Sequence, residues 1–282
     1  MKHFCIIANR AKDENKEYTN RIAGFLQALG CSVYAAVPID PAETERDLTR
    51  GIPPETEAAI VLGGDGTFLH AAKALEPLQI PVLGINLGNL GFLTTSEIHT
   101  AEPALRSLVQ DAYTIQKLPL LTAGKKGGGC WYAMNDVVIS RSGYSRLLHF
   151  QVFVNGEMVG DYQSDGVIVS TPTGSTGYSM SAGGPLVSPD VRLLLITPIC
   201  PHSLHARPLV VAADAEITVR LLPTFRSRQE EALVTVDGDE YGTLSAGEEC
   251  AVRTSDRQIS VLRLAEVTFW DRVRGKLQHS ER

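Results

Sequence analysis

The stretch Ala58-Ala59-Ile60-Val61-Leu62-Gly63-Gly64-Asp65-Gly66-Thr67 decides the fold of this chain. Five apolar residues run directly into a glycine-rich turn, and Phe68–Leu75 then continues as a predicted helix. A buried strand that passes through a tight loop into a helix is the repeating unit of a parallel sheet. Further strand-like runs alternate with helical segments at Phe4–Ala8, Val33–Val37 and Pro81–Ile85. We therefore predict an α/β, Rossmann-like domain over residues 1–100.

The pattern changes after about residue 100, where a helix over Ala101–Gln110 leads into short strands separated by turn residues. Asn155-Gly156, between Phe150–Val154 and Met158-Val159, is a dipeptide that two-residue hairpin turns favour. Further strands are predicted at Val167–Ser170, Glu216–Leu221, Leu233–Val236, Glu249–Arg253 and Ile259–Leu264. We expect residues 101–265 to form an antiparallel, all-β domain. Thr268–Leu277 has the spacing of a short amphipathic helix.

The composition limits the classes of partner. With 282 residues, 44% of them hydrophobic and 21% charged, the chain can form about two ordinary globular domains. Its formal net charge of -6 argues against nucleic acid as the main partner, because clustered Lys and Arg bind phosphate backbones. The five cysteines are widely spaced, and no stretch approaches the roughly 20 apolar residues of a membrane span. We expect a cytoplasmic protein with reduced thiols and no membrane partner.

The loop Gly63-Gly64-Asp65-Gly66-Thr67 has the composition of a phosphate-binding loop. Glycine lets the backbone approach a ligand closely, and the first N–H groups of a following helix favour an anion. Asp65 is unexpected there, because its carboxylate repels phosphate. It could accept a proton from an attacking hydroxyl or bind a metal that bridges the phosphates. The alternative is that Asp65 bonds only to the backbone of a tight turn.

Several common signatures are missing. The chain has neither Gly-x-x-x-x-Gly-Lys-Ser/Thr nor Gly-x-Gly-x-x-Gly, the motifs of P-loop NTPases and of dinucleotide dehydrogenases. It also lacks the His-Glu-x-x-His zinc motif and the Gly-x-Ser-x-Gly nucleophile turn. These absences lower the odds of all four enzyme classes.

The stretch Asp165–Pro185 has the densest polar pattern, in which a strand runs into a loop of hydroxyl residues and glycines. Short donors and acceptors at close range suit a ligand rich in hydroxyls and phosphate oxygens, and Tyr178 could stack on a base. The alternative is a polar linker. Asn135-Asp136 lies inside an apolar run and either forms a turn or binds ribose hydroxyls. His70 and His202 are candidates for ligand contact or for structural histidines.

Four segments stand in one order along the chain: Gly63–Thr67, Gly84–Thr94, Asn135-Asp136 and Asp165–Pro185. This order resembles the NAD kinase family, and the likeness covers nearly the whole chain. It implies an NAD kinase/diacylglycerol kinase-like fold, in which an all-β domain follows the α/β domain and residues 266–282 pack back on the first. It also implies an NAD site between the domains and a homo-oligomer, either a dimer or a tetramer.

The resemblance implies transfer of the terminal phosphoryl group of ATP to the 2′-hydroxyl of the adenosine ribose of NAD, which gives NADP. Asp65 matches the family's acidic base, and a divalent metal such as Mg²⁺ would offset the charge of ATP; its ligands stay open. The positions that match the family's NAD contacts are Gly66, His70, Asn135, Asp136, Arg146, Gln163, Asp165, Thr173, Thr176, Gly177, Tyr178, Ser179, Met180, Ser181 and His202.

The sequence departs from the family pattern at four positions. Asp136 stands where Glu is frequent, and Gly177 where Ala is frequent; both are minor changes. Gln163 replaces a common basic residue two positions before Asp165, which leaves the preference between NAD and NADH open. Asp239 stands where Gln often follows the Asp-Gly turn, and its charge disfavours contact with phosphate.

Two other functions fit parts of the sequence. A lipid kinase of the diacylglycerol or sphingosine type shares the glycine-aspartate loop, but it would need an apolar or basic membrane-docking surface, and the sequence suggests neither. A dinucleotide-binding sensor without catalysis gains nothing from a carboxylate beside phosphates, so Asp65 disfavours it. Whether the phosphoryl donor is ATP or polyphosphate stays open.

Overall fold

A computed structural model gives the fold, and it describes residues 1–35, 48–88, 91–125, 128–143, 147–203, 205–223, 231–264 and 268–279. The chain divides into two compact units. The first contains Met1–Leu118 and Gln258–Arg282, and the second contains Pro119–Arg257. No helix in the described ranges combines the length and the hydropathy that crossing a bilayer requires.

The first unit has alternating strands and helices. Its strands and helices are β1 (His3–Ala8), α1 (Glu17–Ala28), β2 (Ser32–Ala35), β3 (Ala58–Gly63), α2 (Asp65–Leu75), β4 (Val82–Asn86), β5 (Ser96–Glu97) and α3 (Ala101–Val109). Two longer strands begin or end in it, β6 (Thr114–Lys125) and β17 (Glu249–Arg263), and the last helix is α5 (Phe269–His279).

The sheet of this unit is parallel in the order β2-β1-β3-β4, with β5 and the end of β17 also paired to β4. All six residues of β3 are buried, because helices cover both faces of such a sheet. The prediction of a parallel α/β sheet from the alternating pattern is therefore confirmed. The predicted boundary at residue 100 falls just before α3, whose apolar residues Ala101, Leu105 and Leu108 lie in the core of the first unit.

The second unit is built from antiparallel strands. Its strands beyond the shared β6 and β17 are β7 (Cys130–Ala133), β8 (Asp136–Arg141), β9 (Leu148–Val154), β10 (Glu157–Ser164), β11 (Gly166–Ser170), β12 (Leu193–Ile199), β13 (Leu209–Ala212), β14 (Ile217–Leu222), β15 (Glu231–Val236) and β16 (Asp239–Ser245). One sheet has the order β13-β12-β11-β8-β15-β16, and in the other β10, β9, β14 and the first part of β17 are neighbours. A short helix, α4 (Tyr178–Ser181), follows β11 after a 3₁₀ turn.

Two local predictions have opposite outcomes. The hairpin at Asn155-Gly156 is confirmed, since both residues have positive φ, 52° and 83°, as a type I′ turn requires. The two separate strands predicted at Glu249–Arg253 and Ile259–Leu264 are wrong, because β17 runs unbroken from Glu249 to Arg263. The polar residues between them contain no Gly or Pro that would end a strand.

Candidate functional site

The glycine loop joins β3 to α2 at the carboxyl end of the parallel sheet. Gly64 is the extended residue before the helix, and Asp65 is its first residue. A Cβ on Gly63 would lie only 2.5 Å from the Thr67 hydroxyl, so this turn has room for glycine alone. The Thr67 Oγ1 accepts a hydrogen bond of 3.0 Å from the Asn9 side-chain amide at the end of β1. The loop is thus fixed to the neighbouring strand.

Two backbone N–H groups hold the carboxylate of Asp65. The N–H of Phe92 donates to Oδ2 at 2.8 Å, and the N–H of Leu93 donates to Oδ1 at 3.1 Å. A Cβ on Gly91 would overlap Oδ1 and would lie 2.6 Å from the carboxyl carbon. Each carboxylate oxygen has a second lone pair, so the group keeps the capacity to accept a proton. The segment Gly84–Thr94, singled out by sequence, therefore positions Asp65.

Sequence reasoning missed two arginines near this carboxylate. Arg263 on β17 donates to the carbonyl oxygen of Leu93 at 3.2 Å and so supports the same segment. Arg272 on α5 has only 3% of its surface exposed. Burial lowers the pKa of Arg272, while the nearby carboxylates of Asp65 and Asp271 act to raise it. The sequence signal that could have indicated Arg272 is its place beside the apolar face of the amphipathic helix predicted over Thr268–Leu277.

The other two predicted residues of the first unit lie on α2. Gly66 is exposed and His70 is half-buried. They are four residues apart in the helix, so they share one face. Gly66 is thus part of the loop that contains Asp65, and His70 lies about one helical turn beyond it.

In the second unit, Asn135-Asp136 lies against the hydroxyl-rich loop. The backbone N–H of Thr171 donates to the Asn135 carbonyl at 2.9 Å, and the Thr171 hydroxyl bonds to the carbonyl of Met134 at 2.7 Å. A Cβ on Gly177 would lie 3.4 Å from the Asp136 carboxylate and 3.7 Å from the Asn135 amide nitrogen. The structure therefore assembles two segments that the sequence separates by about forty residues.

Asp136 is a buried carboxyl group with 6% of its surface exposed. Burial and the carboxylate of Asp237 raise its pKa to about 7, and a hydrogen bond from the backbone N–H of Tyr178 acts in the opposite direction. Asp237 accepts from the backbone N–H groups of residues 134, 135 and 136 at 2.7–3.2 Å. By sequence, Asp237 belongs to the Asp-Gly turn before Asp239, and no local pattern indicates this contact.

The predicted ligand contacts in the hydroxyl-rich loop differ in how far their side chains are exposed. Tyr178 has 47% of its surface exposed, and Ser181 is also exposed. Thr176 and Met180 are half-buried, and the Thr176 hydroxyl donates to the Thr173 carbonyl at 3.1 Å. Thr173 is buried, and the Ser179 hydroxyl lies inside the fold, 2.9 Å from that of Thr197. The exposed members are therefore those best placed to meet a ligand.

A second group of predicted residues surrounds Asp165. The Arg141 guanidinium forms a two-pronged ion pair with Asp165, with distances of 2.7 and 3.3 Å. The backbone N–H of His202 donates to the Gln163 carbonyl at 2.7 Å, and the side chains of both residues are exposed. Arg141 was missed by sequence analysis because its partner lies 24 residues away.

The two groups lie at opposite ends of the adjacent strands β8 and β11. Asp136 pairs with Ser170 at one end, while Ser140 pairs with Gly166 next to Asp165 at the other. Five residues of extended strand span roughly 16 Å. The predicted dinucleotide contacts of the second unit thus form two clusters rather than one.

Two further points concern the predicted site residues and the metal. Arg146 lies outside the described residues. Within the described ranges, no three His, Cys, Asp or Glu side chains come together as a metal-binding group.

Comparison with known proteins matches both halves of the chain. The model of the ATP-NAD kinase N-terminal domain matches residues 4–113, and that of the ATP-NAD kinase C-terminal domain matches residues 134–264. An NAD kinase of Lachnoclostridium phytofermentans is 44% identical over 282 residues, which covers 98% of this chain and 99% of that protein. An NAD kinase of Gemmatimonas aurantiaca is 43% identical over 84% of this chain and 82% of its own length.

Two solved structures have a similar fold. A yeast NADH kinase complexed with NADH has a TM-score of 0.80 at 24% identity and covers 99% of this chain and 88% of its own. An NAD kinase from Archaeoglobus fulgidus in complex with ATP has a TM-score of 0.76 at 23% identity, with 98% of each chain covered. At these identities the likeness establishes the fold alone.

Proposed function

Since the chain belongs to the ATP-NAD kinase family, we propose that it transfers the terminal phosphoryl group of ATP to the 2′-hydroxyl of the adenosine ribose of NAD. The O2′ atom forms a bond to the terminal phosphorus, and the bond from that phosphorus to the bridging oxygen of ADP breaks. The proton of the hydroxyl passes to Asp65, and the products are NADP and ADP. Positioning and electrostatics supply most of the catalysis in such a transfer.

The contacts of Asp65 are the observation that carries this proposal. Its two oxygens accept from the N–H groups of Phe92 and Leu93, at 2.8 and 3.1 Å, so the carboxylate has one fixed orientation. A carboxylate with only a turn-forming role would bond within its own loop, whereas these donors lie 27 and 28 residues further along the chain. The geometry therefore supports a general base that is positioned before the substrate binds.

We assign the binding of NAD to both clusters of the second unit. Asn135, Asp136 and the exposed part of the loop at Thr176–Ser181 supply amide, carboxyl and hydroxyl groups that suit ribose and base. Asp165, Gln163 and His202 supply a second set at the far end of β11. A dinucleotide has two nucleoside halves, so two polar clusters suit it better than one.

The residues at the glycine loop fit a divalent metal that arrives with the triphosphate. Magnesium in phosphate-transfer sites typically takes one or two protein carboxylates and completes its shell with phosphate oxygens and water. Asp65 is the one carboxylate in this loop. Because it serves as the base in the proposed reaction, phosphate oxygens and water would hold most of such an ion, which would neutralise part of the phosphate charge. The chain's own contribution is to hold that carboxylate in place.

Product analysis tests the proposed reaction. Purified protein is mixed with NAD, ATP and Mg²⁺, and the product is detected with an NADP-specific dehydrogenase and by ³¹P NMR. We expect a phosphomonoester at the 2′ position and ADP in equal amount. A parallel reaction with NADH determines the acceptor range, which Gln163 leaves open, and one with polyphosphate determines the donor range. No phosphorylated dinucleotide in any of these reactions would refute the proposal.

We also propose that the protein is a cytoplasmic homo-oligomer, a dimer or a tetramer. Light scattering after size-exclusion chromatography would give a mass of two or four chains, and a monomer at working concentration would contradict the proposal. Cell fractionation tests the compartment independently.

A further inference from the structure

Lys12 lies at the edge of the glycine loop, although it comes from a different part of the chain. It follows β1 in a turn where its backbone N–H donates to the carbonyl and side-chain oxygens of Asn9, at 3.2 and 3.1 Å. Asn9 in turn bonds to the Leu62 carbonyl and to the Thr67 hydroxyl. These bonds fix the backbone of Lys12 relative to the loop that begins α2.

The Lys12 ammonium lies over two glycines from two separate loops. Its Nζ atom is 3.4 Å from where a Cβ would stand on Gly64, and 3.6 Å from the corresponding position on Gly88. The two loops are joined by a hydrogen bond of 3.1 Å from the Leu87 N–H to the Gly63 carbonyl. Because neither glycine carries a side chain, no side chain of Gly64 or Gly88 separates the ammonium from a ligand bound at their backbone.

The charge of this ammonium is unused in the part of the chain that the structure describes. Its side chain makes no hydrogen bond or ion pair there, and the residue is exposed. Asp65 follows Gly64 directly, yet its carboxylate bonds to Phe92 and Leu93 instead of pairing with Lys12. The residues at this loop therefore supply an ammonium and a carboxylate that do not pair with each other.

A transferring phosphoryl group needs this arrangement of charges. Its oxygens and those of the leaving phosphate require a cation, while the attacking hydroxyl requires a proton acceptor. A carboxylate alone at a phosphate site repels the ligand, and a neighbouring ammonium offsets that repulsion.

We propose that Lys12 binds the phosphates of the phosphoryl donor above Gly64 and Gly88, and that its charge stabilises the transfer. This inference rests on the proposed function, because it names a donor-binding residue for that reaction. The pyrophosphate of NAD has the same chemistry, so the experiment must separate donor from acceptor.

The test compares Lys12→Met with the wild type in steady-state kinetics, varying ATP and NAD separately. Methionine keeps most of the length of the side chain and removes its charge. We expect kcat/KM for ATP to fall by about tenfold to a hundredfold, the effect of losing one charged hydrogen bond, while KM for NAD stays unchanged. Lys12→Arg, which keeps the charge, should recover most of the loss. Lys117→Met, at an exposed lysine of β6, is the matched control and should behave as wild type.

Binding of inorganic tripolyphosphate, measured by calorimetry on the whole chain, gives a readout independent of turnover. We expect binding to weaken in Lys12→Met and to persist in Lys117→Met. If the wild type makes NADP and Lys12→Met has unaltered ATP kinetics, the inference fails while the proposed function stands. A rise in KM for NAD alone would also overturn the inference, since it would assign Lys12 to the acceptor. If the wild type makes no NADP, the proposed function fails instead.

Discussion

Replacing Gly91 by alanine should disable catalysis while leaving the fold intact. The new Cβ would overlap Oδ1 of Asp65 and would stand 2.6 Å from the carboxyl carbon. Since carbon atoms settle about 3.5–4.0 Å apart, the carboxylate must move by about 1 Å. The backbone φ of Gly91 lies outside the left-handed region, so the effect comes from this overlap and not from backbone strain.

A displacement of that size in a reacting group costs about a hundredfold in rate, and loss of a general base about 10²–10⁴-fold. We therefore expect kcat of Gly91→Ala to fall by at least about a hundredfold, with KM for NAD within about twofold of wild type. In an Asp65→Asn background the same substitution should cost little more, because both changes remove one function.

The assay is NADP formation under saturating NAD, ATP and Mg²⁺, accompanied by a thermal unfolding curve. Gly24→Ala is the control, because a Cβ at this exposed position of α1 meets open space. That variant should keep full activity and gain up to about 1 kcal/mol of stability from the better helix propensity of alanine. If Gly91→Ala retains kcat within about threefold of wild type, the positioning of Asp65 by its backbone contacts is not needed for the reaction.

Three further predictions concern the second unit. The pKa of Asp136 is raised to about 7, so its contribution to stability is intact below about pH 4 and is lost as pH rises towards 7. Over that range, denaturation curves should show the free energy of unfolding of Asp136→Asn rising relative to that of wild type, by up to about 4 kcal/mol. Gly174→Ala should lower the free energy of unfolding by about 1–3 kcal/mol, because its Cβ would overlap a backbone carbonyl oxygen. Its control is Gly177→Ala, whose Cβ would meet atoms at 3.3–3.7 Å and which should therefore cost less than about 1 kcal/mol. Arg141→Met should raise KM for NAD by about tenfold. In an Asp165→Asn background the same substitution should raise KM for NAD little further, since the two side chains form one ion pair.

The α/β half of the fold was predictable because its strands are continuous apolar runs. β1, β3 and β4 are almost wholly buried, so their sequences contain few polar interruptions. The strand β17 was predicted as two pieces because its middle is polar and exposed, which resembles a loop when only composition is considered. An exposed stretch of one strand and a loop between two strands have similar polar sequences. Only the hydrogen-bonded pairing with neighbouring strands distinguishes them.

In the candidate site, the residues proposed to meet the ligand were predictable from the sequence, but the residues that hold them in place were not. Asp65 and Asn135-Asp136 stand out because polar residues beside apolar strands need partners. Their supports, Asp237 and Arg263, come from more than 100 residues away along the chain, so local patterns contain no trace of them. The lipid kinase alternative finds no support in the comparisons, which match ATP-NAD kinase domains in both halves.

The most direct test of the central claim is the rate of NADP formation by Asp65→Asn, measured together with its affinity for NAD. Asparagine keeps the size of the side chain and still accepts one of the two backbone hydrogen bonds, but it cannot take the proton. We expect kcat to fall by about 10²–10⁴-fold, while the NAD affinity measured by calorimetry stays within about threefold of wild type. A variant that binds NAD and retains more than about a tenth of the wild-type rate would contradict the assignment of Asp65 as the base.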